Sequence, residues 1–155
     1  MGDAAEGGIP LEQASMQQLN MVKQNLEQEL KALMNNLEAL REAETRFKHS
    51  QDTLGSLVPE NEGKPILLPV TSSLFIDAKM KNNERVTVDV GTGYFIEMSV
   101  DRAKKFCAKR TQMLTDNAGV MQKRLNEKKK NYEMVTQTMQ VKYAQMQEQQ
   151  QQHGR

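Results

Sequence analysis

Leu19, Leu26, Leu33, Leu40, Phe47 and Leu54 stand seven residues apart without a gap. A second series at Met16, Leu30, Leu37 and Val58 supplies the four–three alternation, as from Leu26 to Leu30 and from Leu33 to Leu37. That pattern defines the a/d seam of a coiled-coil helix rather than the broader apolar stripe of a helix resting on a globular core. Lys23, Glu44 and Gln51 fall on a positions of the seam, where polar residues set register and partner choice at some cost in stability. The spacing predicts a helix over residues 11–58, with Pro10 in its first turn. At about 1.5 Å per residue such a helix runs roughly 70 Å, longer than a compact domain of this size needs.

A second helix is expected over residues 99–150. Ser99 is its N-cap and Asp101 sits favourably in its first turn. Its seam reads Leu114, Ala118, Met121, Leu125, Tyr132, Val135, Met139 and Met146, interrupted by Lys128 and Lys142 and weakened near Gly119. Residues 1–10 read as a disordered leader, and the low-complexity residues 151–155 as a frayed tail. Two helices of similar length on either side of a short joint should fold back as an antiparallel pair, with both chain ends at the far tip.

Composition fits a narrow seam better than a compact core. Of 155 residues, 37% are hydrophobic and 5% aromatic, with no Trp, too little bulk for a well-filled interior. Mean hydropathy is −0.72. A net charge of +1 argues neither for nucleic acid nor for a membrane surface. The single cysteine, Cys107, excludes an internal disulfide and fits a reducing, cytoplasmic setting. Ile66–Val70, the longest apolar run, is far below the roughly 20 residues that span a bilayer. The first residues lack the basic flank and apolar core of a secretory signal.

Residues 59–98 change period. Val58 to Pro65 holds two prolines and an Asn-Glu-Gly turn. Two-residue alternation follows, through Leu74, Ile76, Ala78 and Met80, then Val86, Val88 and Val90, then Tyr94, Ile96 and Met98, with Ile66–Val70 as an earlier strand. Residues 81–84 and Gly91-Thr92-Gly93 read as hairpin turns. The fold class is therefore α+β: a long antiparallel two-helix coiled coil with two β-hairpins at the joint. The helices are committed to their own seam and cannot cover this apolar face, so other subunits should. Leu67, Val70, Leu74, Ile76, Val86, Val88, Val90, Tyr94 and Ile96 are the expected subunit interface.

Nothing in the sequence assembles a catalytic, metal or cofactor site, and an enzyme is not expected. His49 and His153 have no second ligand at metal-binding spacing. Cys107 has basic neighbours that would lower a thiol pKa, but no acid–base partner, and reads as a seam residue. Gly91-Thr92-Gly93 lacks the context of a phosphate cradle. The basic clusters at Arg102–Arg110 and Lys123–Lys130 read as solvated faces, because base-reading groups are missing and the first helix carries offsetting glutamates. At the free tip, by contrast, apolar residues exceed what a seam needs. Met16, Leu19, Met21 and Val22 come from one helix and Met134, Met139, Tyr143 and Met146 from the other. Flexible, polarisable Met side chains suit a surface that must fit many partners. A coiled-coil tether or scaffold without client binding is the alternative, and it would not need them.

The joint also carries a resemblance. Asn61-Glu62-Gly63-Lys64, Ile66-Leu67-Leu68-Pro69-Val70-Thr71-Ser72-Ser73-Leu74 and Val88-Asp89-Val90-Gly91-Thr92-Gly93-Tyr94-Phe95-Ile96-Glu97 resemble the α-type subunits of prefoldin, over about residues 11–146. The family often has Pro-Gly where this chain has Asp77-Ala78. The resemblance implies a heterohexamer of two α-type and four β-type subunits joined through a double β-barrel. It also implies an ATP-independent chaperone, without a cofactor, that captures unfolded actin and tubulin and passes them to the cytosolic chaperonin.

Overall fold

A computed structural model describes residues 10–81 and 83–153, with side chains described as far as Gln149. The elements run in the order α1 (Met16–Gly55), a 3-10 turn (Pro59–Asn61), β1 (Pro65–Pro69), β2 (Phe75–Lys79), β3 (Arg85–Gly91), β4 (Tyr94–Ser99) and α2 (Val100–His153). The expected leader lies outside the described residues except at Pro10, and of the expected tail Gly154 and Arg155 do. The chain divides into two compact units, one holding residues up to Glu38 and from Gly119 onward, the other Ala39–Ala118.

The seam determines which side α1 buries. Leu19, Leu26 and Leu37 are buried, and Met16, Lys23, Leu30, Leu33, Leu40, Glu44, Phe47, Gln51, Leu54 and Val58 are each half-buried. Among the other residues of α1 only Ala43 reaches that level. The helix starts later than expected, at Met16 and not near Leu11. Ser15 and Gln18 form a capping box: Gln18 N–H donates to Ser15 Oγ (3.2 Å) and Ser15 N–H to Gln18 Oε1 (2.8 Å). This reciprocal pair satisfies two donors that a helix end leaves free, so the preceding residues can turn instead of extending the helix. At the other end α2 continues to His153, beyond the expected limit at 150, because glutamine is a good helix former and no breaker precedes Gly154.

In the first unit Ala14, Leu19, Leu26 and Val135 form the core, with Leu11, Met16, Tyr132 and Met139 packed against it. The lysines on the seam keep their ammonium groups partnered. Lys23 lies 5.7 Å from the centre of the Tyr132 ring, whose hydroxyl donates to Glu27 at 2.8 Å. Lys128 pairs with Glu29 at 2.7 Å, and Lys142 donates to the carbonyl of Ala14. Their apolar stems cover the seam while the charged heads reach partners at its edge. These interruptions are thus built into the register.

In the second unit the Phe47 and Phe106 rings meet edge to face with centroids 6.5 Å apart, and Ala103 and Cys107 are buried. Glu44 accepts from Lys48 at 2.6 Å and from the Thr115 hydroxyl at 3.0 Å. The strands form two separate two-stranded antiparallel sheets, β1–β2 and β3–β4. Residues 81–84 are therefore a link between hairpins, not a hairpin turn as expected; Asn82 lies outside the described residues. Asn83, which is buried, explains the difference. Its side-chain N–H donates to the carbonyl of Val58 at 2.8 Å, and Val100 N–H donates to Glu84 O at 3.1 Å. These bonds hold the link against the exit of α1 and the start of α2, away from any strand pairing.

Two outcomes follow from this packing. Leu37 is 5% exposed and its neighbour Glu38 is on the solvated flank. Leu37→Asp should cost at least the ~2–5 kcal/mol of a lost buried Leu, and Glu38→Ala at most about 0.5 kcal/mol; thermal unfolding of both variants checks the register. The second concerns pH. Hydrogen bonding from Lys48, then from Thr115, lowers the pKa of the Glu44 carboxyl. A depressed folded-state pKa stabilises above the unfolded value and is lost as pH falls through the folded one. The melting-temperature advantage of the natural chain over Glu44→Gln should therefore be present at neutral pH and shrink in acid below about pH 4.3.

Candidate functional site

Register determines what each hairpin shows. In the first, Ile66↔Ala78 and Leu68↔Ile76 lie on one face, while Leu67↔Asp77 and Pro69↔Phe75 lie on the other. Strand β2 passes through Asp77 and Ala78 with its register unbroken, so the departure from Pro-Gly leaves the pairing intact. Large apolar side chains are exposed on both faces: Leu68, Val70, Leu74 and Ile76 on one, Leu67 and Phe75 on the other. The expected interface had put Leu67 together with Ile76, and the register separates them. It had also left out Leu68 and Phe75. Their signal was the unbroken apolar runs Ile66–Leu68 and Leu74–Ile76, which put apolar side chains on both faces of a strand.

In the second hairpin Val86↔Met98 and Val88↔Ile96 share a face, and Thr87↔Glu97 and Asp89↔Phe95 the other. Val90 is the extra residue of a bulge between Asp89 and Gly91. Asp89 accepts from Gly91 N–H at 2.8 Å, and Thr92 (φ 53°) and Gly93 (φ 80°) make the two-residue connection. Positive φ at both positions is the type I′ geometry that matches strand twist, so Gly91-Thr92-Gly93 is a turn, as expected. Val86, Val88 and Val90 are half-buried and line an open groove of about 920 Å³ with Phe47, Leu54 and Phe106. These valines face the helix side, so the expectation that the helices cannot cover the apolar face of the joint is corrected for this hairpin. Tyr94 and Phe95, 70% and 67% exposed, form the open part of this hairpin, and Phe95 was missed because alternation placed it on the polar face.

Each strand has a single strand neighbour among the described residues, so four edges present unpaired backbone groups. An isolated two-stranded sheet is marginal in water, and free edges beside exposed aromatic and aliphatic groups invite other strands. The geometry suits assembly.

The tip residues divide into two groups. Leu19 is fully buried, and Met16 and Met139 pack against the core; Leu19 therefore belongs to the seam and is corrected out of the open surface. Met21 is 65% exposed and Tyr143 61%, and Val22, Met134 and Met146 are also exposed. Met146 occupies a seam position, yet α1 begins only at Met16 and leaves it uncovered.

Chemistry has little to work with. No group of three or more His, Cys, Asp or Glu able to hold a metal occurs among the described residues. Cys107 is 4% exposed, and burial raises its thiol pKa, so its basic neighbours do not activate it. No helix among the described residues is long and apolar enough to cross a membrane.

A helix pair joined through two hairpins, with apolar area open at the joint and at the tip, defines a subunit that works by assembly and surface contact. The family model for prefoldin subunits matches residues 26–145. The chain is 32% identical over 155 residues to the probable prefoldin subunit 5 of Dictyostelium discoideum, covering 98% of this chain and 96% of that protein. It is 33% identical over 138 residues to prefoldin subunit 5 of Homo sapiens, covering 89% and 90%. A chain of filamentous PFD from Methanocaldococcus jannaschii, seen by cryo-EM, shares the fold with a TM-score of 0.65 at 23% identity, covering 74% of this chain and 94% of that one. The chain belongs to the prefoldin subunit family. It is a non-enzymatic chaperone subunit, and its assembly partners are other prefoldin subunits.

Leu67→Asp together with Phe95→Asp tests the assembly surface. Both side chains are open in the lone chain, so helicity should be unchanged. In an assembled interface an unpaired buried charge costs roughly 3–5 kcal/mol. The double variant should elute apart from its partner subunits on a sizing column, whereas Glu38→Ala should co-elute with them.

Proposed function

We propose that this chain is an α-type subunit of a cytoplasmic heterohexamer with two α-type and four β-type subunits. In this reading the hexamer holds unfolded actin and tubulin without ATP and passes them to the cytosolic chaperonin. The subunit interface would use the open hairpin residues Leu67, Leu68, Val70, Leu74, Phe75, Ile76, Tyr94, Phe95 and Ile96. Val86, Val88 and Val90 face the helices and would support this surface from beneath. The likeness to prefoldin subunit 5 supports the assembly, and the clients and chaperonin come from family resemblance.

One observation carries the capture step. The tip unit completes its own core with Leu19, Leu26 and Val135, yet leaves Met21, Val22, Met134, Tyr143 and Met146 exposed. A passive tether gains nothing from apolar side chains outside its seam. Contacts to them are non-directional and scale with area, at about 25 cal/mol per Å² removed from water. Many weak contacts of this kind suit a client without fixed shape.

Met21, Met134, Tyr143 and Met146 all changed to Ser should leave hexamer recovery intact and markedly weaken suppression of aggregation of denatured actin. Moderate salt should matter little, because screening acts on charge and not on apolar contact. Undiminished suppression would remove this tip from the mechanism and favour the tether.

A further inference from the structure

We propose that the turn Leu11–Ala14 is an internal occupant of a peptide-binding site at the end of the seam, formed by Met16, Leu19, Met139 and Lys142, and that an unfolded client segment takes its place. This rests on the tip reading and deepens it. The turn is not part of α1. It is closed by Gln13 N–H and Ala14 N–H donating to Pro10 O at 2.8 and 3.2 Å, and the capping box at Ser15 separates it from the helix. Leu11 and Ala14 nonetheless pack against the core of the unit, and Lys142 donates to the Ala14 carbonyl.

What the turn offers shows what the site accepts: an aliphatic side chain, a small side chain and a main-chain carbonyl. Every residue of an unfolded chain carries such a carbonyl, so recognition by Lys142 imposes no sequence. A half-buried ammonium needs an acceptor, since leaving it unpaired is costly, and the site therefore stays occupied by either the turn or a client. Met139 and Tyr143 are four residues apart and neighbours on one face of α2. The covered site thus continues into the exposed tip. Displacing the turn would uncover Leu19, Met16 and Met139, enlarging the apolar surface when a client has already engaged Tyr143 and Met146. The turn and the client compete, and affinity falls by the fraction of molecules in which the turn is docked.

Leu11→Ser in the full chain, assembled with its partner subunits, tests this. Amide exchange at Gln13 and Ala14 should quicken roughly tenfold as the apolar plug is lost. The concentration needed for half-suppression of denatured actin aggregation should fall about twofold or more. Lys142→Met should quicken the same amides but gain less capture, because it also removes the donor that the client would use; it carries the test if Leu11→Ser does not fold. Unchanged exchange in both variants would overturn the proposal. So would faster exchange without improved capture while the four-residue Ser variant loses capture: the turn is then structural and the tip reading survives. If neither the turn variants nor the Ser variant alters capture, the tip reading fails and this proposal fails with it.

Discussion

The a/d seam between the helices is the constraint on which everything else depends, because it commits the heptad residues of the helices to one another. Leu19, Leu26, Leu37, Leu125 and Val135 are buried in it, and the helices reach only one side of the β3–β4 hairpin, where Val86, Val88 and Val90 line a groove with Phe47, Leu54 and Phe106. A sheet of four strands could have closed partly on itself. Two separate two-stranded sheets cannot, and they leave large apolar residues and unpaired backbone edges open together. Assembly is thus a consequence of how the helices spend their apolar surface.

The polar residues in the seam show how such a structure keeps one register. Lys23, Lys128 and Lys142 would each slip out of reach of their partners if one helix moved along the other. Lys128 would lose Glu29, Lys23 the Tyr132 ring, and Lys142 the Ala14 carbonyl. A uniformly apolar seam would tolerate such slips more easily, since contacts between aliphatic groups are non-directional. The same lysines, with Glu44 held by Lys48 and Thr115, account for the interruptions that appear as weaknesses in the heptad pattern.

Much of this was legible in the sequence because a coiled coil writes its burial as a period. Every residue assigned to the α1 seam is buried or half-buried, and the four strands fall where the two-residue alternation put them. The misses have physical causes. Alternation assumes one wet face, so it overlooked Phe75 in a hairpin that is apolar on both sides, and Phe95, which stands on the otherwise polar face of Thr87, Asp89 and Glu97. It also cannot say which strands pair, and the bond from Asn83 to Val58 that separates the hairpins spans 25 residues. Leu19, first residue of the heptad seam and expected there in part, was also named for the open tip, because the heptad pattern does not show that Leu11 and Ala14 join it in the core. The capping box at Ser15 and Gln18 was readable and would have moved the helix start to Met16.

The central claim is that the hairpins are completed by other subunits and that this completion builds a particular particle. Native mass measurement of the chain purified with its partners tests it most directly. The account predicts a single assembly of six subunits containing two α-type chains, with hairpin amides at Leu67–Leu68 and Phe95–Ile96 that exchange slowly in the particle and rapidly in the lone chain. A stable monomer, or a particle in which those amides exchange as they do in the lone chain, would contradict it.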